Sequence, residues 1–237
     1  MPVYKVPSPV ASPASEWSKK NGSVMATAYK LTYFNLKARG EAIRFVFSYA
    51  GVPFEDERVE FPDWPEFKVK NASRLPWGNA PVLTLPNGQR LGQARAIARF
   101  LGRRFGLAGA DDFESAQVDA IADALEDLIV AVTPWMMTLM GGDAGKMAEQ
   151  KKKLDDAGTW DNSLRRFEAI LKANTSGWLV GKKVSWVDFS LAVWMDNYSG
   201  VTPDTFKPYP EIRAHSQRVH ALPQLQKYLA SRPQTPA

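Results

Sequence analysis

The hydrophobic pattern of this chain changes period once, close to Gly109. Before that point, short alternating or apolar runs take turns with helical ones. After it, every apolar run has helical spacing. A strand repeats every two residues and a helix roughly every 3.6, so neither pattern sits comfortably in the other's backbone. The order therefore predicts an α/β part followed by an all-helical part, joined within residues 105–111.

Tyr29 to Phe34 (YKLTYF) alternates and is rich in strand formers. Arg39 to Ala50 carries Ile43, Val46, Phe47 and Ala50 at helical spacing and is closed by Gly51. Phe54 to Val59 is a weaker strand. Val82 to Leu85 is a short apolar run, Pro86-Asn87-Gly88 a turn, and Arg90-Leu91 a return strand, which together predict a hairpin. Ala94 to Arg104 then sets Ala94, Ile97, Ala98 and Leu101 on one helical face. Beyond Gly109, Val118, Ile121, Ala122, Leu125, Leu128 and Val132 predict a long amphipathic helix that Pro134 interrupts. Leu164, Phe167 and Leu171 mark another, and Lys151–Lys153 ahead of it read as a solvated face. Ser185 and Asp188 have the spacing of a capping box before Leu191, Trp194, Met195 and Tyr198. Two short helices are predicted over Pro210–Val219 and Pro223–Ala230.

Residues 1–25 hold four prolines and no hydrophobic period, and read as a disordered extension. They contain no apolar h-region and no arginine, which argues against a secretory signal and a mitochondrial presequence. With no long apolar run elsewhere, a cytoplasmic protein that does not engage membranes is expected. The two structural units are then residues 26–107 and 108–237.

The 237 residues include no cysteine and two histidines, His215 and His220. Disulfides, thiolate metal sites and a protein-borne thiol nucleophile are excluded, so any sulfur chemistry must use sulfur from a ligand. Two histidines five residues apart do not share a helix face, and neither a metal site nor a Ser-His-Asp triad is expected. The net charge of +5 is uneven. Residues 26–105 carry 13 basic and seven acidic side chains; residues 106–237 carry 14 and 17. A solvated surface explains this, and so does a first half that attracts a small anion. No nucleic-acid-reading motif is present.

Four constellations carry possible chemistry. Tyr33 closes the first strand just before a helix that Arg39 opens, where its hydroxyl can face a cleft. Gly78-Asn79-Ala80-Pro81 enters a strand in a way that suits a cis proline, freeing backbone groups for an extended ligand. Gln93-Ala94 opens a helix whose first N–H groups suit a carboxylate. Asp119, Asp123 and Glu126 share one side of the long helix, either solvated or facing an ammonium group across a subunit boundary. Each also has a plain structural reading: core aromatic, proline-bounded strand, helix start, wet helix face.

Their order and spacing together resemble the glutathione transferases, in particular the sigma class, which includes prostaglandin D synthases of the haematopoietic type and the S-crystallins. The resemblance runs from about Tyr29 to the end through YKLTYFNLKARGEAIRF, VEFPDWPEFK, LPWGNAPVL, GQARAIARFLGRRFGLAG, VDAIADALEDL, WLVGKKVSWVDF and RPQT. It implies a thioredoxin-like N-terminal domain, an all-helical C-terminal domain, a homodimer, and glutathione as co-substrate with no metal required. It implies Tyr33 as the catalytic tyrosine and Arg39 as its support. Trp64 and Lys68 match the grip on the glycyl end, Ala80 before Pro81 the backbone pairing with the cysteinyl part, and Gln93 and Ala94 the hold on the γ-glutamyl carboxylate. Asp123 matches an acid that reaches the partner subunit's ligand, and Trp135 a wall of the second-substrate pocket. Gly78 and Asn79 lie in the ligand-binding loop.

This chain departs from the family pattern at Ala94, where a serine hydroxyl is lost, and at Asn79, which is often lysine. The resemblance implies conjugation of the glutathione thiolate to small apolar electrophiles, with peroxide reduction as a variant. The alternatives are a prostaglandin D-type isomerase and a non-catalytic crystallin-like carrier.

Overall fold

The computed structural model describes residues 28–235. The extension expected over residues 1–25 lies outside them.

Four strands form one sheet: β1 (Tyr29–Phe34), β2 (Phe54–Val59), β3 (Val82–Thr84) and β4 (Arg90–Gly92). Their order is β2-β1-β3-β4, with β1 parallel to β2 and antiparallel to β3, and β3 antiparallel to β4. Helix α1 (Ala38–Ala50) makes the parallel crossover and packs beside α3 (Ala94–Arg104), while α2 (Trp64–Lys70) lies between β2 and β3. Tyr29 and Leu31 on β1 and Phe45, Val46 and Phe47 on α1 are fully buried between the layers. The sequence pattern did not show α2. It is a short helix with no buried residue, and Pro65 at its start is compatible with the first turn.

The helical half comprises α4 (Asp112–Met140), α5 (Ala144–Asp156), α6 (Thr159–Ala173), α7 (Trp186–Ser199), α8 (Pro203–Phe206), α9 (Pro210–His220) and α10 (Pro223–Ser231). One expectation needs correction, and one helix is additional to those the pattern shows. Helix α4 continues through Pro134. The proline leaves the Val130 carbonyl without its helical donor, but Val130 is 57% exposed, so water can take that bond. The lysine run, in turn, belongs to a helix of its own. Lys151, Lys152 and Lys153 pair along α5 with Asp155, Asp156 and Glu149. No residue of α5 is fully buried, which is why its apolar signal is faint.

The base of α7 joins the halves. Asp188 accepts from the Ser185 N–H (2.7 Å), the Ser185 hydroxyl (2.8 Å) and the Leu179 N–H (2.9 Å), and His215 Nε2 lies 2.9 Å from it. The Trp186 N–H reaches back to the Leu107 carbonyl at 2.9 Å. A methyl group on Gly102 of α3 would collide with the Trp186 ring, so the two helices cross at van der Waals distance only because that position is glycine. His220 Nε2 lies 2.8 Å from Asp196, so both histidines are spent on carboxylates.

Candidate active site

Strand register sets the first wall of the site. Thr32, Val82 and Gly92 sit side by side on β1, β3 and β4. One step further along each strand come Tyr33, Pro81 and Gln93, in a row along one edge of the sheet. Three segments far apart in sequence thus deliver a phenol, the Ala80–Pro81 backbone and a helix start to one place. The Ala80–Pro81 bond is cis, as the sequence suggests. Gln93 holds φ at 73°, the left-handed region that a non-glycine residue rarely keeps. It precedes the first N–H groups of α3.

Tyr33 is 5% exposed. Its oxygen accepts the Arg39 backbone N–H at 3.3 Å, which leaves the phenol proton free to be given elsewhere. Burial pushes the phenol up; the Arg39 N–H and the charges of Arg39 and Arg44 pull the other way without cancelling it. The group therefore stays neutral at physiological pH and acts as a donor. Gly40 packs against the flat of the ring so closely that a Cβ there would overlap Tyr33 Cδ1. Arg44, fully buried, donates to the Phe34 carbonyl at 3.2 Å and the Leu36 carbonyl at 2.8 Å, fixing the turn that follows the tyrosine.

Next to this edge, Trp64 packs on Phe34 (5.0 Å between centroids) and stacks on Phe67 (5.9 Å). The Lys68 side chain lies over Gly78, its Cε 3.7 Å from where a Cβ would stand. Asn79 is exposed in the same loop. Trp64, Lys68, Gly78 and Asn79 therefore flank the row of strand ends.

The second wall is a cavity of about 260 Å³ between the halves, onto which Tyr33 and Arg39 open. Ile129, Thr133, Met136 and Met137 of α4 line it, with Val193, Trp194, Asn197 and Tyr198 of α7. Trp135 does not line it, contrary to expectation. Trp135 is 2% exposed and packs on Trp160 and Tyr198. The reason is phase: α4 turns Leu128, Val132 and Trp135 into the helical core, so the next residues round, Met136 and Met137, meet the cavity. The spacing of Ile129, Thr133, Met136 and Met137 carried that signal; the expected break at Pro134 obscured it.

The acidic stripe is neither free nor simply wet. Asp119 pairs with Arg99 (2.8 Å) and Arg103 (3.2 Å), Asp123 with Arg95, and Glu126 with Arg39 at 2.7 and 2.9 Å. Arg39 and Arg95 both line the cavity mouth. Part of the positive charge of the first half is thus matched by α4 within the same chain.

Two family models match the chain: glutathione S-transferase N-terminal domain over residues 29–103 and glutathione S-transferase C-terminal domain over residues 131–232. Glutathione S-transferase 1 of Ascaris suum is 36% identical over 208 residues, covering 88% of this chain and 98% of that protein. This chain belongs to the glutathione S-transferase family. It pairs the family's thioredoxin-like domain with the helical one. Hematopoietic prostaglandin D synthase of Gallus gallus is 35% identical over 212 residues, covering 87% of the chain and 98% of that protein. Among solved structures, a glutathione S-transferase of Ascaris lumbricoides superposes with a TM-score of 0.81 at 36% identity, covering 89% of this chain and all of that one. A monomeric glutathione S-transferase of the hookworm Necator americanus gives 0.78 at 35% identity, with 88% and 98% covered. Among the described residues no helix is long and apolar enough to cross a membrane, and no His, Asp and Glu cluster is arranged for a metal ion.

Proposed function

We propose that the protein conjugates the glutathione thiolate to small apolar electrophiles, with Tyr33 holding the thiolate. One observation carries this: a neutral, buried phenol whose oxygen already accepts the Arg39 N–H and whose proton is left to donate, at the mouth of an apolar cavity. A free thiol with a pKa of about 8.5 is only about 3% thiolate at pH 7. A hydrogen bond from the phenol favours the charged form, and lowering the thiol by about two pH units takes roughly 2.7 kcal/mol. The cavity then holds the electrophile against the sulfur.

The residues present suit the tripeptide. Trp64 and Lys68 would hold its glycyl end and the Ala80 backbone its cysteinyl part. Gln93 and the free N–H groups at the start of α3 would take the γ-glutamyl carboxylate. Ala94 offers no hydroxyl there, and a hydrogen bond to a charged group is worth about 1.5–3 kcal/mol, so weaker glutathione binding is expected. Asn79 withholds a charge nearby. In a sigma-class homodimer, Asp123 would reach the partner's ligand only by sharing its charge with Arg95. We place the domain boundary at residues 107 and 108, and the enzyme in the cytoplasm.

Retention on immobilised glutathione, together with turnover of a general aryl chloride, tests the reading, with Tyr33→Phe as control. Binding without turnover, or equal turnover in the variant, refutes the role given to Tyr33. Relatives named hematopoietic prostaglandin D synthase keep an isomerase as the second reading. Adding prostaglandin H2 to the same preparation separates the two.

A further inference from the structure

Register sets where Tyr33 stands, but the turn that follows it is held by side chains, and these lead to α10. Glu41 on α1 is 1% exposed. Arg44 Nη1 reaches its Oε2 at 3.1 Å, the Tyr228 hydroxyl donates to the same oxygen at 2.9 Å, and Arg232 Nη1 donates to Oε1 at 2.7 Å. Tyr228 lies on α10 and Arg232 directly after it. The same helix is tied to α1 by Ser48, whose hydroxyl donates to the Gln224 carbonyl at 3.0 Å.

Two routes run from here to the turn. In the first, Arg44 divides its remaining N–H groups between Asp56, at 3.1 Å, and the Phe34 and Leu36 carbonyls. In the second, Arg58 joins the Tyr228 oxygen, 3.4 Å from Nη2, to the Asn35 side chain, 3.2 Å from Nη1. Both end on residues 34–36, between Tyr33 and the Arg39 N–H that the phenol oxygen accepts. A buried carboxylate is costly unless its oxygens are met. Without the donors from α10, Arg44 alone among the described residues would meet Glu41. A guanidinium holds its N–H groups in a fixed fork, so turning toward Glu41 takes them from the carbonyls. Burial and the Glu41 charge push the Tyr228 phenol up, outweighing the pull of Arg44 and Arg58, so its proton remains in place to be donated.

We infer that Tyr228 and Arg232 are positioning residues for Tyr33: by satisfying Glu41 they leave Arg44 on the Phe34 and Leu36 carbonyls, and so hold the turn that aims the phenol at the glutathione sulfur. This rests on the transferase reading above and makes the thiol's activation depend on the docking of α10. The phenol favours the thiolate through one hydrogen bond, and such a bond weakens steeply as its angle bends. A slackened turn therefore raises the pKa of the bound thiol. It leaves the grip on the tripeptide in place, because Trp64, Lys68, Ala80 and Gln93 lie on other segments.

The experiment follows conjugation of 1-chloro-2,4-dinitrobenzene across pH, with glutathione saturating, in the unmodified protein, Tyr228→Phe and Arg232→Gln. The acid limb of kcat/KM for the aryl chloride then reads the thiol in the enzyme–glutathione complex. In Arg232→Gln its midpoint should rise by about one pH unit, which leaves about tenfold less thiolate on the acid side. Tyr228→Phe removes the hydroxyl and keeps the ring against Phe45, so the fold is retained. Its midpoint should rise by about half as much in pH units. Glutathione affinity by calorimetry should change less than about twofold in both. An unmoved midpoint in either variant overturns the inference even if Tm falls, because a merely structural contact lowers stability without touching the thiol. Should Arg232→Gln fail to fold, Tyr228→Phe decides alone. Glutathione affinity that falls in step with turnover overturns the inference too. An unmodified protein with no turnover sinks the transferase reading and this inference with it.

Discussion

The two walls of the cavity are built differently. On the sheet side, Tyr33, Pro81 and Gln93 owe their positions to backbone register, and Arg44 clamps the turn through main-chain carbonyls. On the helical side, position comes from side chains projecting from the faces of α4 and α7, anchored at one buried carboxylate. A wall fixed by backbone bonds keeps its geometry when side chains change. A wall made of side chains changes its chemistry with every substitution. On the function proposed above, the difference assigns the constant ligand to the sheet and the variable one to the helices.

The strongest way to break this contrast is to remove the anchor of the helical wall. Asp188→Ala leaves the N–H groups of Ser185 and Leu179 and the His215 ring without their acceptor. We expect a loss of about 3–5 kcal/mol in unfolding free energy, read by urea titration. A loss under about 1 kcal/mol contradicts the role. Tyr33→Phe comes next. It should cut kcat/KM by about a hundredfold or more, with glutathione affinity measured by calorimetry nearly unchanged. Gly40→Ala follows: the added methyl must push the Tyr33 ring aside, and the overlap should cost about 1–3 kcal/mol in stability. Its conjugation rate should fall further than its glutathione affinity, because the ring moves while the Pro81 backbone does not; an unaltered rate excludes a tightly held ring.

The smallest effect concerns pH. Burial pulls His220 down, but the neighbouring Asp196 carboxylate outweighs it and the imidazole stands above its ordinary value. Its stabilising contribution is therefore complete below about pH 6.5 and fades as the pH climbs through the raised folded value. In His220→Gln, the fall in Tm across that interval should flatten; an identical slope in the two proteins rules the pair out as its source.

Much of the sheet side was legible beforehand. Alternation in YKLTYF, the Pro86-Asn87-Gly88 turn and Gly51 after a helical run fix strands and helices by local chemistry, and the Ser185/Asp188 spacing announces the start of α7. The placement of Tyr33 at a strand end also follows from local pattern. The helical side was harder because its decisive facts are non-local. The phase of α4 beyond Pro134 sends Trp135 into the core and Met136 toward the cavity, and nothing near Pro134 in sequence shows that the helix continues. The partners of Asp123 and Glu126 were equally invisible, since Arg95 and Arg39 reach them from other elements. Uneven charge along the chain suggested attraction of an anion; contact between α3 and α4 absorbs part of it.

Because the phenol and the cis Ala80–Pro81 step terminate neighbouring strands, the gap between them is set by interstrand spacing, about 4.8 Å per strand. The segment linking β2 to β3, which includes α2, sets none of that distance. It can lengthen, shorten or be rebuilt over evolutionary time while the phenol and the Ala80–Pro81 backbone stay in step, so this excursion is the natural place to graft a different version of the proposed grip on the glycyl end without retuning the chemistry.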